Sequence, residues 1–196
     1  MRKVSFLKIR RLFYGILIIV GSLLGLGNTS SAGKFIQKDV ENAGDALQFI
    51  VPTFVFGRVL YEPNGGDSVS QFVKHFLFIH GVTYLGKILV NEMRPSGSNL
   101  DSFPSGHTAA AFSGATFVHF RYSFDEAKYL YLLSAFTAFS RVYAEKHHVH
   151  DVLASVALSF VSSYIFVTRK NDRVICAVNF DPSSRRFSLA LNFLLE

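Results

Sequence analysis

The sequence predicts a mainly α protein, a compact helical bundle of about five to six core helices with a short C-terminal β-hairpin. Three observations predict this class. Hydrophobic residues make up 49% of the 196 residues and include 21 Phe, which is enough apolar surface for a packed core. Five apolar segments, each long enough for a helix, are separated by short polar breaks. The tail instead alternates apolar and other residues with the period of a β-strand.

The N-terminal segment 1–32 has the three parts of a secretory signal. A basic region extends to Arg11, an apolar stretch covers 12–26, and a run of small residues ends at Ala32. We expect cleavage after Ala32, which leaves a single domain over 33–196. An uncleaved membrane anchor is the alternative, because 12–33 carries no charge and could just span a bilayer. In both cases the domain is expected to be exported to the periplasm or cell envelope.

The excess of basic over acidic residues lies in the same N-terminal segment. Residues 1–32 hold five of the 20 Lys and Arg residues and none of the 14 Asp and Glu residues. The net charge of +6 is therefore concentrated at the N-terminus. The remaining domain is nearly neutral, which argues against a nucleic-acid partner.

The predicted helices follow in order at 46–60, 69–90, 108–120, 127–143 and 152–167. Pro52 is expected to bend the first of them. Small residues recur every four positions in two of the later segments, a pattern that lets helices pack closely. These rows are Gly106, Ala110 and Gly114, and then Ser155, Ser159 and Ser163.

Two features decide how the helices relate to a membrane. Polar residues interrupt most of them, such as Arg58 in the first and His80 and Lys87 in the second. The longest run after the signal that lacks both charged residues and histidine, 152–168, has 17 residues, the lower limit for a transmembrane helix. We therefore expect a bundle at the membrane surface, with a bilayer-spanning bundle as the alternative.

The tail contains two runs of period two around a turn at 182–185. They predict a β-hairpin over about 173–193, which should pack on the bundle or on a partner because a lone hairpin is only marginally stable. Cys176 in the first run is the chain's single cysteine, so no internal disulfide can form.

The first motif that could carry chemistry is Lys87-x6-Arg94-Pro95. Seven residues are two helical turns, so both cations are expected on one face of the second helix, with Pro95 ending it. The alternative is a pair of cations that complement the dipole at a helix C-terminus. Lys87 lies within an apolar stretch, where a cation without a partner is costly.

The second motif, Pro104-Ser105-Gly106-His107, stands at the start of an alanine-rich helix. Ser105 alone would suffice as the N-cap. Gly106 allows close approach to the backbone, and the first amides of a helix can bind an anion. An ordinary turn is the alternative.

The third motif is Ser140-Arg141-x5-His147-x3-Asp151. Asp151 is close enough in sequence to accept a hydrogen bond from one ring nitrogen of His147, which would leave the other nitrogen as a base or nucleophile. A solvated loop is one alternative. A zinc site is another, but adjacent His147 and His148 cannot easily face one ion, so we expect no metal.

Together the three motifs supply cations, neutral donors and two imidazoles, which suits a tetrahedral oxyanion such as phosphate. In this order and spacing they resemble the signature of the type 2 phosphatidic acid phosphatase superfamily, which includes bacterial acid phosphatases and vanadium haloperoxidases. The resemblance covers 87–151, about a third of the chain.

The resemblance implies an all-α core and a phosphoryl transfer in two steps, with neither a metal nor another cofactor. His147 would be the nucleophile and form a phosphohistidine, Asp151 would orient its ring, and His107 would protonate the leaving group. The phosphoryl oxygens would be held by Lys87, Arg94, Ser105, Gly106 and Arg141. No family position matches His148 or His150.

The expected function is therefore hydrolysis of a phosphomonoester or pyrophosphate, with a membrane lipid as the favoured substrate because of the export signal and the apolar helices. The alternatives are a soluble periplasmic acid phosphatase of broad specificity, a vanadium-dependent haloperoxidase, and a non-catalytic envelope protein.

Overall fold

Five α-helices form the body of the protein in a computed structural model that describes residues 32–62, 65–170, 174–181 and 186–193. They are α1 (Ala32–Leu60), α2 (Gly66–Val90), α3 (Gly106–Arg121), α4 (Phe124–Tyr143) and α5 (Val149–Phe166). The mainly α class and the five helical segments are thus confirmed. The predicted signal or anchor falls on 1–32 and, apart from Ala32, lies outside the described residues.

Helix α1 begins well before the expected position 46 and continues through Pro52 to Leu60. Its buried side chains explain the difference, because Val40, Ala43, Leu47 and Val51 follow one another at spacings of three or four. The N-terminal half is amphipathic rather than uniformly apolar. A search for apolar runs therefore missed it.

Helix α3 is the centre of the bundle, and it packs against each of the other four helices. Every residue from Thr108 to Val118 is buried. A methyl group at Gly114 would come 2.9 Å from Cγ1 of Val51, so the glycine lets α1 approach α3 closely. The predicted rows of small residues do lie in helix contacts, since Ser155, Ser159 and Ser163 are also fully buried.

Much of the interior is polar. His75 is fully buried, with Nδ1 2.9 Å from Oγ of Ser162 and Nε2 3.0 Å from the carbonyl oxygen of Ser113. These contacts join α2, α5 and α3. Other buried hydroxyls donate to backbone carbonyls, as Ser134 does to Ala111 at 2.9 Å. Such bonds remove most of the cost of burying polar groups.

The outer surface, by contrast, is rich in large apolar side chains. Leu77 is 64% exposed, Leu89 79% and Tyr164 82%. Among the described residues, three helical segments are long and apolar enough to cross a membrane, namely Lys34–Leu60, Gly66–Val90 and Val149–Phe166. A polar interior beneath an apolar exterior is the arrangement expected in lipid.

This arrangement favours a bilayer-spanning bundle over the expected domain at the membrane surface. The polar residues that argued against spans are at least partly enclosed or paired: His80 is half-buried, Lys87 donates to the carbonyl oxygen of Asp101, and Arg58 pairs with Glu126. The sequence read linearly does not separate the two faces of each helix.

After α5 the backbone forms two strands, β1 (Val174–Asp181) and β2 (Arg186–Phe193), paired antiparallel with Val178 opposite Leu189. The helices carry the confirmed fold. The expectation that a C-terminal hairpin is a stable part of the domain stays a prediction.

Candidate active site

The three motifs meet at one end of the bundle. The C-terminal ends of α2 and α4 and the N-terminal ends of α3 and α5 lie there, together with the N-terminal half of α1. The backbone N–H of Ser105 donates to the carbonyl oxygen of Asp151 at 3.3 Å, and Oγ of Ser155 donates to the carbonyl oxygen of Ser105 at 2.9 Å. These bonds tie the start of α3 to the first turn of α5.

His147 lies in the turn before α5, and its side chain is 2% exposed. Its Nδ1 is 2.7 Å from the carbonyl oxygen of Ser102. A carbonyl oxygen can only accept, so Nδ1 carries the proton and Nε2 keeps its lone pair. The ring is therefore set in the tautomer that a nucleophilic Nε2 requires.

Asp151 does not orient His147 by the direct hydrogen bond that the spacing suggested. Its Oδ2 lies 3.5 Å from Nδ1 of His147. The same oxygen instead accepts hydrogen bonds from the hydroxyl group of Ser102 at 2.5 Å and from the backbone N–H of His148 at 2.8 Å. Asp151 thus caps the first turn of α5 and fixes Ser102, whose carbonyl group then positions the imidazole. Ser102 escaped the sequence analysis because its main chain makes the contact.

His107 occupies the first turn of α3, with its Nε2 3.0 Å from Oδ1 of Asp45. The same carboxylate oxygen is 2.6 Å from NH1 of Arg141. Arg141 also donates to the carbonyl oxygen of Glu41 at 2.5 Å and to Oγ of Ser140 at 3.0 Å. Asp45 was not predicted; it lies 42 residues before Lys87, where the nearest motif begins, and no spacing rule connects it to the motifs.

The position of Asp45 depends on the preceding glycine. A methyl group at Gly44 would lie 1.9 Å from Oγ and 2.8 Å from Cβ of Ser140, and 2.7 Å from NH2 of Arg141. Only a residue without a side chain allows this part of α1 to lie directly on the end of α4. The close approach brings the Asp45 carboxylate to the Arg141 guanidinium.

The sequence prediction for Lys87 and Arg94 was partly wrong. Helix α2 ends at Val90, where Asn91 adopts a left-handed conformation with φ 48° and ψ 45° as the C-cap, so Arg94 lies in a loop rather than on the helix face. Asn tolerates this conformation well and ends the helix before Pro95 is reached. Nε of Arg94 is 2.9 Å from Oδ1 of Asp101, whose carbonyl oxygen accepts from Lys87 at 2.5 Å. Both cations thus converge on Asp101.

Ser105 and Gly106 begin α3 as predicted. Ser105 is the N-cap, with Oγ 3.5 Å from the backbone nitrogen of Thr108, and its side chain is fully buried. Gly106 is the first helical residue, and its N–H belongs to the turn whose amides have no intrahelical partner. The hydroxyl proton of Ser105 and the amide of Gly106 are donors that an anion at this helix end could use.

Both imidazoles are held mainly in the neutral form. Burial is the largest cause that lowers the pKa of His147 from 6.5 to about 4, and the charges of Lys87 and Arg94 add to it. Burial also lowers the pKa of His107 from 6.5 to about 4, assisted by Arg141 and opposed by Asp45. The neutral state suits a nucleophile at position 147. A bound phosphate dianion would add negative charge and raise both pKa values.

Metal-ligating atoms also occur beside the site. Glu92, His150 and Asp151 place one ligand atom each within 4.8 Å of one another. His147 is not part of this cluster.

Comparison with known proteins connects this geometry to a family. The family model described as the PAP2 superfamily matches residues 68–175, which include all three motifs. Lipid A 4'-phosphatase of Helicobacter pylori is 28% identical over 173 residues, and the match covers 83% of this chain and 84% of that protein.

Two further similarities differ in extent. Lipid A 1-phosphatase of Porphyromonas gingivalis is 36% identical over 137 residues, which are 67% of this chain but 31% of the relative, so the chain spans about a third of that protein's length. The crystal structure of Aquifex aeolicus LpxE superimposes with a TM-score of 0.54 at 20% identity, over 76% of this chain and 92% of that one. At this identity the superposition supports the fold alone.

Proposed function

Because the chain belongs to the PAP2 superfamily, we propose that it is a metal-independent phosphatase that removes phosphate from a membrane lipid through a phosphohistidine on His147. The observation that carries the proposal is the hydrogen bond of 2.7 Å from Nδ1 of His147 to the carbonyl oxygen of Ser102. It leaves Nε2 unprotonated in a site where three cations converge. Membership of the family, together with the similarity to two lipid A phosphatases, makes the chain a phosphoric ester hydrolase.

In the first step, Nε2 of His147 attacks phosphorus and the bond from phosphorus to the lipid oxygen breaks. His107, which becomes protonated because the bound phosphate raises its pKa, gives its Nε2 proton to the departing oxygen and becomes neutral, so the lipid leaves as an alcohol. Lys87, Arg94 and Arg141, with the donors of Ser105 and Gly106, stabilise the charge on the equatorial oxygens. The products of this step are the dephosphorylated lipid and a phosphohistidine.

In the second step, neutral His107 takes a proton from water as the water oxygen attacks phosphorus. The bond from phosphorus to Nε2 breaks, and phosphate leaves with His147 restored to its starting tautomer. Ser102 and Asp151 hold the ring throughout, because the carbonyl group of Ser102 fixes Nδ1–H and Asp151 fixes Ser102. No metal ion is required in either step.

A lipid substrate is supported by the apolar surface and by a cavity beside the site. The cavity has a volume of about 360 Å³ between α1 and α2, and its lining includes Phe49, Phe76 and Leu77. It also includes Ala110, one helical turn beyond His107, so a chain attached to a phosphate at His107 can extend into it. Apolar cavities with a few polar groups at one end suit amphipathic ligands.

The substrate class is proposed from the relatives, whose names specify the 1- and 4'-phosphates of lipid A. We favour the phosphate of a glycolipid of this kind over that of a glycerophospholipid. The match along 84% of the H. pylori relative gives the 4'-phosphate the greater support.

The test is phosphate release by the purified full chain in detergent with a chelator present. Lipid A bisphosphate, phosphatidic acid, a polyprenyl pyrophosphate and a soluble aryl phosphate would be compared, and mass spectrometry would identify which lipid A phosphate is lost. We expect preferential turnover of lipid A and at least a 1,000-fold loss in His147→Ala. Acid quenching of the wild type should trap a ³²P-labelled protein that the variant lacks.

Other outcomes lead to other functions. Turnover of the aryl phosphate alone would replace the proposal by an acid phosphatase of broad specificity. Peroxide-dependent halide oxidation in added vanadate would indicate a haloperoxidase, and complete inactivity would indicate a non-catalytic protein. A His147→Ala variant with full activity would refute the phosphohistidine.

A further inference from the structure

We infer that Glu92, His150 and Asp151 bind one divalent transition-metal ion such as Zn²⁺, and that its occupation slows phosphoryl transfer. The binding site goes beyond the proposed function and does not depend on it. Only the effect on catalysis rests on the proposed function.

The ligand atoms form a compact set. Nε2 of His150 is 2.7 Å from Oε1 of Glu92 and 3.1 Å from Oδ1 of Asp151. Imidazole nitrogen and carboxylate oxygen are both ligand types that zinc accepts. Bonds to zinc of about 2.0–2.2 Å require only a small outward movement of these atoms.

A second observation points independently to a missing ligand. Oδ1 of Asp151 is buried and has no hydrogen-bond partner among the described residues, while its Oδ2 accepts two bonds. The side chain of Asp151 is 0% exposed, and a buried carboxylate oxygen without a partner is costly. The nearby Nε2 of His150 is within 3.1 Å but is directed to Glu92. A cation between the three residues would satisfy Oδ1.

The site is open on one side. The side chains of His150 and Glu92 are 59% and 26% exposed, so an ion can enter from solvent and both side chains can adjust. The ring of His148 stacks on that of His150 at 5.2 Å, and its Nε2 lies 3.8 Å from Oε1 of Glu92. Water could complete a tetrahedral set, because Nε2 of His148 is engaged with the carbonyl oxygen of Met93 at 3.1 Å. The site gives His150 a role that the sequence did not.

The ion would act on catalysis through Asp151. Oδ2 of this carboxylate holds Oγ of Ser102 at 2.5 Å, and the carbonyl group of Ser102 holds His147 at 2.7 Å. A cation on Oδ1 would neutralise the negative charge that supports this chain of hydrogen bonds. It would also add positive charge close to His147, which becomes cationic when it is phosphorylated. We therefore expect a lower kcat with zinc bound.

The experiment is calorimetric titration of the chelator-stripped full chain with ZnCl₂, in detergent without phosphate. Wild type should bind one zinc per chain, and Glu92→Gln and His150→Ala should each weaken binding at least tenfold. Asp125→Asn, an exposed carboxylate on α4, and His119→Gln, at the far end of α3, are the matched controls and should bind as wild type does.

The same proteins would then be assayed for turnover. Zinc at saturating concentration should lower the kcat of wild type at least fivefold and leave Glu92→Gln and His150→Ala unaffected. Binding of equal strength in wild type and both variants would refute the proposed metal site. So would the absence of binding by wild type at about 0.1 mM zinc, a concentration at which only a very weak site stays empty. Site-specific binding without a change in kcat would overturn the coupling to His147. A protein inactive on every phosphate would refute the proposed function and leave the calorimetric result intact.

Discussion

The carboxylate of Asp45 lies where it would compete with a bound phosphate for the guanidinium group of Arg141. Its Oδ1 lies 2.6 Å from Arg141 and 3.0 Å from His107, so one carboxylate contacts a proposed phosphate ligand and the proposed acid. A bound phosphate needs the same guanidinium donors. The carboxylate therefore opposes phosphate binding while it favours the protonated form of His107.

Replacing Asp45 with Asn should separate these two effects. We expect the inhibition constant of inorganic phosphate to fall about three- to tenfold, which corresponds to roughly 1 kcal/mol for one partly exposed charge pair. Because Asp45 raises the pKa of His107, its loss lowers that pKa, and the basic limb of the kcat profile should move to lower pH. Phosphate inhibition and pH profiles of both proteins would measure the two effects. Weaker phosphate inhibition in the variant would contradict the competition.

The buried imidazole of His147 should also make stability depend on pH. Its pKa is about 4 in the folded protein against 6.5 in the unfolded chain, so the unfolded state binds the extra proton between these values. Stability is then complete above pH 6.5 and is lost as the pH falls toward 4, by about 2 kcal/mol near pH 4.5. Thermal unfolding at pH 7 and 4.5 should show a smaller decrease in His147→Gln than in wild type. The surface variant His148→Gln should behave as wild type, and equal decreases in all three proteins would refute the assignment.

The motifs predicted which titratable and cationic side chains converge, because their spacing places them at helix ends that a bundle brings together. What they could not predict is the bonding between them. The tautomer of His147 is set by a main-chain carbonyl of Ser102, which no side-chain pattern records. Asp45 comes from α1, where only the packing of that helix on α4 brings it to Arg141.

That packing depends on short side chains where helices touch. Gly44 lies against Ser140 and Arg141, while Gly57 on the same helix has no atom within 4 Å of the position a methyl group would take. The two glycines have the same sequence context, a helix interior, but opposite consequences. Sequence patterns do not show which face of a helix packs against a neighbour. For this reason the helix bounds were predicted best where apolar runs are dense, and they were missed in the amphipathic half of α1.

Gly44→Ala should therefore impair the site far more than Gly57→Ala. The added methyl group must displace α1 from α4, and we expect kcat/KM to fall at least tenfold with a lower melting temperature. Gly57→Ala should keep activity and gain up to about 1 kcal/mol of helix stability. Kinetics and thermal melting of both variants provide the measurement.

A second substitution distinguishes steric displacement from general destabilisation. Ser140→Gly removes both the Oγ and Cβ atoms that the new methyl group would meet. It should restore part of the activity in the Gly44→Ala background. No rescue, together with normal melting of the single variant, would refute the steric explanation.

The bundle as a whole encloses many polar groups and carries many large apolar side chains on its outer surface. In the part of the chain that the structure describes, three helices are long and apolar enough to cross a membrane. On α5, Leu153 and Tyr164 face outward, whereas the interior side carries Ser155, Ser159 and Ser163. The site lies at one end of this bundle. The phosphate group of a lipid at the membrane interface could therefore reach the site while the acyl chains of that lipid stay in the bilayer.

Ala157→Arg tests this arrangement, because the substitution costs little in water and much more in lipid. Ala157 is exposed and lies in the middle of α5. On a helix in water, Arg at an exposed position costs only a few tenths of a kcal/mol, since it is nearly as good a helix former as Ala. At the centre of a bilayer it costs about 2.5–3.5 kcal/mol. We therefore expect Ala157→Arg to accumulate poorly in the membrane fraction, whereas Ala157→Leu accumulates as wild type does. Equal amounts of both variants, released from membranes by alkaline carbonate without detergent, would show that α5 does not span the bilayer.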